Sequence, residues 1–408
     1  MIFAIAIVNV LLSALLFFIK ARQNSPFMMF YLTLCVMFLL PAVLDRPGEV
    51  IDFHQFASPV HLTFDGLSIA HLFIFLVLFG FLVLESRWPL KRKIQLSKTV
   101  SYYSCLLPPA FVLASGLVGY VFYGSGLLYA SFTSVRAGEF GLVSLVLAYF
   151  SILSIPSAAL ALSKDRYVSC LFALIPLIIP IAIFGSARQP LVISVFAISF
   201  VMLQKLKVKN GYMMVVMVLL VPVAELILEI LKQVRNLPDF GSRVQFFIGG
   251  LGQLDLSGQY GESRLRFVYY IIVNGVEIEK SGEFTYLLRA LFFWLPSAID
   301  VFSIKPDDFE YSIFSAVMGG RSGTMHPTFF GILMADAGWF FIPWVVMTFI
   351  VMRFIENALL SRKVGLNYLY FFCFYVAVMW ARGSIYAPLV LLFIVMVIYY
   401  SSNIISRP

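Results

Sequence analysis

Charge is what this sequence has least of. Only 12% of its 408 residues are charged, whereas 61% are hydrophobic and the mean hydropathy is +0.94. A soluble domain carries about a quarter charged residues, so a large soluble catalytic domain is excluded and a polytopic membrane protein is expected. Cysteine and histidine are sparse as well, at four of each. Cys35, Cys105, Cys170 and Cys373 lie singly in apolar stretches with no CxxC or Cys/His spacing, which argues against a disulfide framework or a zinc site. The formal net charge is +8, but the cations are dispersed among apolar segments and form no long tail, so nucleic acid is not an expected partner. Soluble linkers, low-complexity tracts and internal repeats are missing too, so residues 1–408 read as one membrane domain.

What is abundant is apolar sequence of membrane-spanning length. The pattern predicts an all-α protein with about eleven spans (10–14), at 1–19, 27–44, 67–84, 100–122, 141–162, 167–185, 190–203, 212–231, 329–350, 367–381 and 385–400. Lys20 and Arg22 follow the first span, which has no basic segment before it and reads as uncleaved. With that end placed in the cytoplasm, the alternate loops hold sixteen Lys and Arg, against four (Arg46, Arg136, Arg188, Arg382) in the short loops opposite. The expected orientation therefore has the N-terminus outside and the C-terminus inside. One long excursion, 232–328, falls on the outer side with nine Lys/Arg and ten Asp/Glu. Within it Phe284 to Phe302 is apolar but interrupted by Arg289, Pro296 and Asp300, as in an amphipathic, interfacial or re-entrant helix.

Charge meets the expected bilayer in two places. Residues 167–203 must cross twice with only 37 residues, and Pro176 and Pro180 can kink or break the incoming helix. The turn Gly185-Ser186-Ala187-Arg188 then holds Arg188 at headgroup depth, where a lipid-linked phosphate or diphosphate is its bidentate partner, or an ordinary phospholipid serves instead. The second place is Gly319-Gly320-Arg321-Ser322-Gly323-Thr324-Met325-His326-Pro327. Here glycine amides and Arg321 suit an anion, and His326 at a helix entrance suits a general base. Asp336 lies ten residues on, about 15 Å along a helix, and Glu225 and Glu229 share a face of the eighth span, with Lys232 next to Glu229. The long excursion adds Arg235, Arg243, Arg264, Arg266 and Arg289. Tyr260 and neighbouring aromatics give Arg264 and Arg266 either a glycan-stacking surface or an interfacial belt.

At these residues the chain resembles the Wzy-type O-antigen polymerases and their relatives, the O-antigen ligases. The Gly185-Ser186-Ala187-Arg188 turn is similar to the small-residue arginine turn of that superfamily. His326 followed by Phe329, Phe330, Leu333, Asp336 and Gly338 is similar to its histidine-led motif. Pro327 stands where the family has asparagine and the acid falls one residue late, departures that favour polymerase over ligase. The resemblance implies a glycosyltransferase C-like fold and metal-independent glycosyl transfer without a cofactor, on the periplasmic side of a bacterial inner membrane. Donor and acceptor would be glycans on undecaprenyl diphosphate, with a chain-length regulator and a flippase as further partners. His326 and Arg188 would be catalytic, Arg321, Arg264, Arg266, Arg243 and Tyr260 would bind substrate, and Asp336 and Glu225 would support them. Three other classes compete: a ligase using nearly the same residues, a proton-coupled transporter using Glu225, Glu229 and Asp336, and a non-catalytic membrane scaffold.

Overall fold

The computed structural model of the chain describes residues 2–51, 60–96, 102–124, 126, 147, 150–184, 188–208, 210–235, 237–249, 264–275, 284–293, 295, 309–318, 326–361 and 366–405. Apart from one two-residue antiparallel pairing, Val50–Ile51 (β1) with Val60–His61 (β2), the regular elements among these residues are helical. In chain order the helices are α1 (Ile2–Arg22), α2 (Met28–Ala42), α3 (Phe64–Arg87), α4 (Tyr102–Tyr123), α5 (Ser154–Ser163), α6 (Tyr167–Phe184), α7 (Arg188–Lys205) and α8 (Asn210–Arg235). After these come α9 (Phe240–Gly249), α10 (Leu265–Val273), α11 (Thr285–Leu291), α12 (Phe309–Val317), α13 (Thr328–Ala337), α14 (Ile342–Leu359), α15 (Leu366–Arg382) and α16 (Tyr386–Ile405). Among the described residues, five stretches are long and apolar enough to cross a membrane: Ile2–Arg22, Phe64–Arg87, Cys105–Tyr123, Gly211–Val234 and Ile342–Leu359. Shorter apolar helices accompany them, so the molecule is an all-helical membrane protein by helix length and composition.

Local chemistry explains where helices end. Three of them close on a non-glycine residue in the left-handed region: Asn24, Asp165 and Lys207, with φ of 52°, 57° and 53°. In each case the next amide reaches back five residues, from Ser25 to Lys20, Arg166 to Ala161 and Val208 to Leu203, while the left-handed residue bonds the carbonyl three back. This double bond satisfies carbonyls that the last helical turn leaves open, and it offsets the strain of a side chain at positive φ. Inside α2, the Leu40 amide reaches Cys35 O, forming a π-type turn just before Pro41, which has no amide to continue the ladder.

The single expected span at 329–350 is corrected by the structure. Gly338, with φ 52° and ψ −130°, breaks it, and a new helix starts with Pro343 in its first turn. That backbone conformation is essentially open only to glycine. Two further expectations change. The expected loop at 351–366 is helical through Leu359, and the expected outer excursion 232–328 contains the end of α8 together with α9, α10, α11 and α12. Of the apolar segment 284–302, Thr285–Leu291 is helical, and 296–302 lie outside the described residues.

The chain divides into two compact units. The first comprises Met1–Gln95, Ser263–Ser361 and Val376–Pro408, and the second Leu96–Glu262 and Arg362–Tyr375, so 232–328 contributes to both. In the first unit α1 packs along α3, and α10 packs on α13 and α3. Phe30, Phe81 and Phe329 meet with centroids 5.1–5.9 Å apart, and Phe27 stacks on Trp380 at 6.1 Å. In the second unit α5 packs on α6 and α7 through a run of small side chains, Ser154, Ser157, Ala158, Ala159 and Ala161, all buried. Small residues let backbones approach closely where water supplies no driving force. Phe200 meets Tyr370 and Phe374 at 6.0 and 5.5 Å.

Candidate functional site

In the second unit Arg188 is the first residue of α7, as the turn predicts; residues 185–187 lie outside the described residues. Its Nη1 donates to the Leu228 carbonyl on α8 at 3.1 Å. Arg243, on α9, is buried and also serves this turn. Its Nη1 donates to the carbonyls of Ala182, at 3.2 Å, and Ile183, and its Nη2 to Leu237 O at 2.9 Å. A guanidinium on the last carbonyls of α6 compensates the negative end of that helix and satisfies oxygens the helix leaves open. The structure therefore brings Arg188 and Arg243 to the same turn, where main-chain carbonyls are among the partners of both guanidinium groups. Ile181, Leu231 and Val234, with Leu191, Ile227 and Phe246 around them, form the apolar cluster beside the turn. Glu225, half-buried, is on α8 three residues before Leu228. Asp239 starts α9 by accepting from the Ser242 amide at 2.8 Å and the Ser242 hydroxyl at 3.2 Å. These bonds, led by the amide, hold its carboxyl below the usual carboxylate range, with Arg243 adding to the effect.

In the first unit His326 and Pro327 precede α13, whose first residue carries unusual backbone strain. Thr328 has φ 70°, rare for a β-branched residue, is buried, and accepts the Gly331 amide on its hydroxyl at 3.3 Å. Gly383, with φ 95°, lies against it: a Cβ there would be 2.6 Å from the Thr328 carbonyl oxygen. Two left-handed backbones thus cross directly after His326, and the residue before the glycine is Arg382, a buried cation. Arg382 is a candidate that sequence reasoning did not select; the signal available was an Arg-Gly pair closing an apolar span.

Asp336 is fully buried, and its partners are local. Its Oδ1 accepts the Tyr286 amide at 2.7 Å, and its Oδ2 accepts the Leu287 amide at 3.0 Å and the Trp344 indole at 2.8 Å. Its main-chain oxygen accepts the Phe284 amide at 3.1 Å. The carboxylate therefore caps the start of α11 from a distant segment, a structural task for a residue expected to support catalysis. Arg266 has a comparable task. Its Nε and Nη2 grip both oxygens of Asp45, each at 2.8 Å, and Tyr270 donates its hydroxyl to the same carboxylate at 2.9 Å. Such a fork-to-fork pair fixes α10 to the segment after α2 and uses the guanidinium edge that a phosphate would take. Arg264 precedes α10 and is half-buried. Arg321 and Tyr260 lie outside the described residues.

One charged cluster was not anticipated. Lys20, Glu85, Arg353 and Glu356 form a closed ring of alternating sign in which each cation touches both acids. Lys20 and Glu356 are 2.7 Å apart, Arg353 is 2.7 Å from Glu85 and 2.9 Å from Glu356, and the remaining contact joins Lys20 to Glu85. Ser25 adds a hydroxyl to Glu356 at 2.5 Å. Lys20 and Arg353 are two of the cations counted above as loop charge, yet both acids and Lys20 are buried.

No family model, no curated protein and no solved structure matches the chain.

Proposed function

We propose that the chain polymerises oligosaccharide repeat units carried on undecaprenyl diphosphate, by metal-independent glycosyl transfer at the outer face of a bacterial inner membrane, in a fold of about eleven spans. The observation that supports this best is the turn where α6 meets α7. A permanent cation, Arg188, opens an apolar helix there, and a second, Arg243, fixes the turn through main-chain carbonyls. A cation held at the end of apolar helices suits a ligand that is itself an anion on a hydrocarbon chain.

In this reading His326 takes the proton from the acceptor hydroxyl as its oxygen attacks the anomeric carbon of the donor. The bond from that carbon to the diphosphate oxygen breaks, and the undecaprenyl diphosphate leaves with its developing charge stabilised by arginine. The strained crossing of Thr328 and Gly383 would hold the histidine in place, with Arg382 beside it; backbone strain of this kind recurs at functional sites. Arg243 and Arg266 are recast as positioning residues, since carbonyls and Asp45 already occupy their donors.

The test is reconstitution. Purified protein with synthetic lipid-diphosphate repeat units and EDTA should yield a ladder of products on a gel, absent with His326→Ala and with Arg188→Ala. A ladder that survives His326→Ala removes the histidine as base. Transfer of finished glycan to a lipid acceptor without a ladder would indicate the ligase instead.

A further inference from the structure

His71 is the least explained polar residue in the first unit. It sits on α3, its side chain is buried to 1% exposure, and neither ring nitrogen has a hydrogen-bond partner. A neutral imidazole carries one donor and one acceptor, so both would stand unmet inside an apolar helix junction. Each unmet buried group loses its hydration without a bond in return.

The surroundings repeat the deficit. Asn9 on α1 donates its Nδ2 to the His71 carbonyl at 2.9 Å, which places the asparagine side chain beside the histidine backbone, yet the buried Asn9 Oδ1 has no partner. Ser68 Oγ, one turn before His71 on α3, has none either. His71 and Ser68 on α3 and Asn9 on the adjoining α1 therefore present two acceptors, a hydroxyl and a ring N–H with nothing to bind. Isolated lapses of this kind are rare, and several together in one place mark a site that something fills.

The other side of the ring leads toward charge. The Tyr270 ring on α10 lies edge-on to His71 with centroids 6.5 Å apart, and its hydroxyl is on the Asp45 carboxylate that Arg266 grips. Tyr269, the neighbour of Tyr270, is already satisfied by the Ala70 carbonyl at 2.8 Å. The titratable and charged groups facing His71 are thus Tyr270, Asp45 and Arg266.

We propose that the junction of α1, α3 and α10 is a built hydration site, in which internal water binds His71, Asn9 and Ser68 and connects the imidazole to the Tyr270–Asp45–Arg266 chain. The ligand class is water. The inference does not depend on the glycosyl-transfer reading.

The experiment is nitrogen-15 NMR of the whole protein in detergent, labelled at histidine, which gives four ring systems. His71→Gln identifies the His71 signals; if that variant fails to fold, replacing His54, His61 and His326 instead leaves His71 alone. A hydrated site predicts fast exchange of the His71 ring proton with solvent, its rate read by saturation transfer from water, and a rate about tenfold slower in Asn9→Leu or Ser68→Ala, each of which removes a water ligand. A ring N–H that persists in D2O in the wild type would show a dry site and overturn the proposal. So would exchange that neither variant alters.

Discussion

Two clusters of charge in this apolar chain differ in the contacts that hold them. At the Lys20–Glu85–Arg353–Glu356 ring, each charge is met by two of the opposite sign. At the Arg188 turn, the hydrogen bonds described run from guanidinium to main-chain carbonyl. Ion pairing removes a charge from further use and stitches helices together. Carbonyl contacts fix where a guanidinium sits, here at the start of an apolar helix. Arg266, clamped by Asp45, belongs with the ring in this respect.

The largest expected effect comes from opening the ring. Glu356→Ala leaves Glu85 alone against Lys20 and Arg353, an excess positive charge in a buried site, and should lower stability by about 3–5 kcal/mol, read as a large fall in the midpoint of thermal unfolding in detergent. Removing one cation and one acid together, as in Lys20→Met with Glu85→Met, should cost less than either single change, because no uncompensated charge remains. A double variant as damaged as the sum of the singles would break the view that the ring is a neutral staple.

Next in size is the backbone crossing. Gly383→Ala sets a Cβ against the Thr328 carbonyl and forces alanine to a φ of 95°, so a loss of about 2–3 kcal/mol is expected in the same assay. The effect should be much smaller at Gly48, which has φ 85° but no atom near its Cβ position, leaving only the conformational term.

The smallest effect is a pH dependence at an exposed pair. Hydrogen bonding to Lys205, strengthened by its charge, holds the Asp165 carboxyl below its usual value. The pair's contribution is therefore complete at neutral pH and is lost only as pH falls below the usual carboxylate range, about 4. Unfolding midpoints measured from pH 5 to pH 3 should drop more for wild type than for Asp165→Asn.

Much of the helical layout was legible because apolar runs of span length leave a strong signal. Tyr167–Phe184 and Arg188–Lys205 emerge with Arg188 at the start of the second helix, while Pro176 and Pro180, expected to kink or break the first, lie inside one continuous helix. The break at Gly338 carried a readable signal too, a glycine five residues before Pro343, which hydropathy averaging over the apolar run concealed. The ring was invisible for a different reason. Lys20 and Glu356 are 336 residues apart, and each alone reads as a loop charge after a span. Asp336 was noticed as an intramembrane acid, but its partners are amides of α11, which no side-chain pattern announces. Pairing across distant segments is a tertiary fact, and a single chain's spacing does not encode it.

The most direct measurement compares Arg188 with Arg266 as ligands. Binding of a polyprenyl diphosphate should be measured to the protein in lipid nanodiscs for wild type, Arg188→Gln and Arg266→Gln, alongside each variant's unfolding midpoint. The account predicts that Arg188→Gln weakens binding at least about tenfold with its midpoint near wild type, losing a charge-assisted contact worth about 1.5–3 kcal/mol, while Arg266→Gln chiefly lowers the midpoint. Unchanged binding by Arg188→Gln would contradict the central claim that this turn receives the diphosphate.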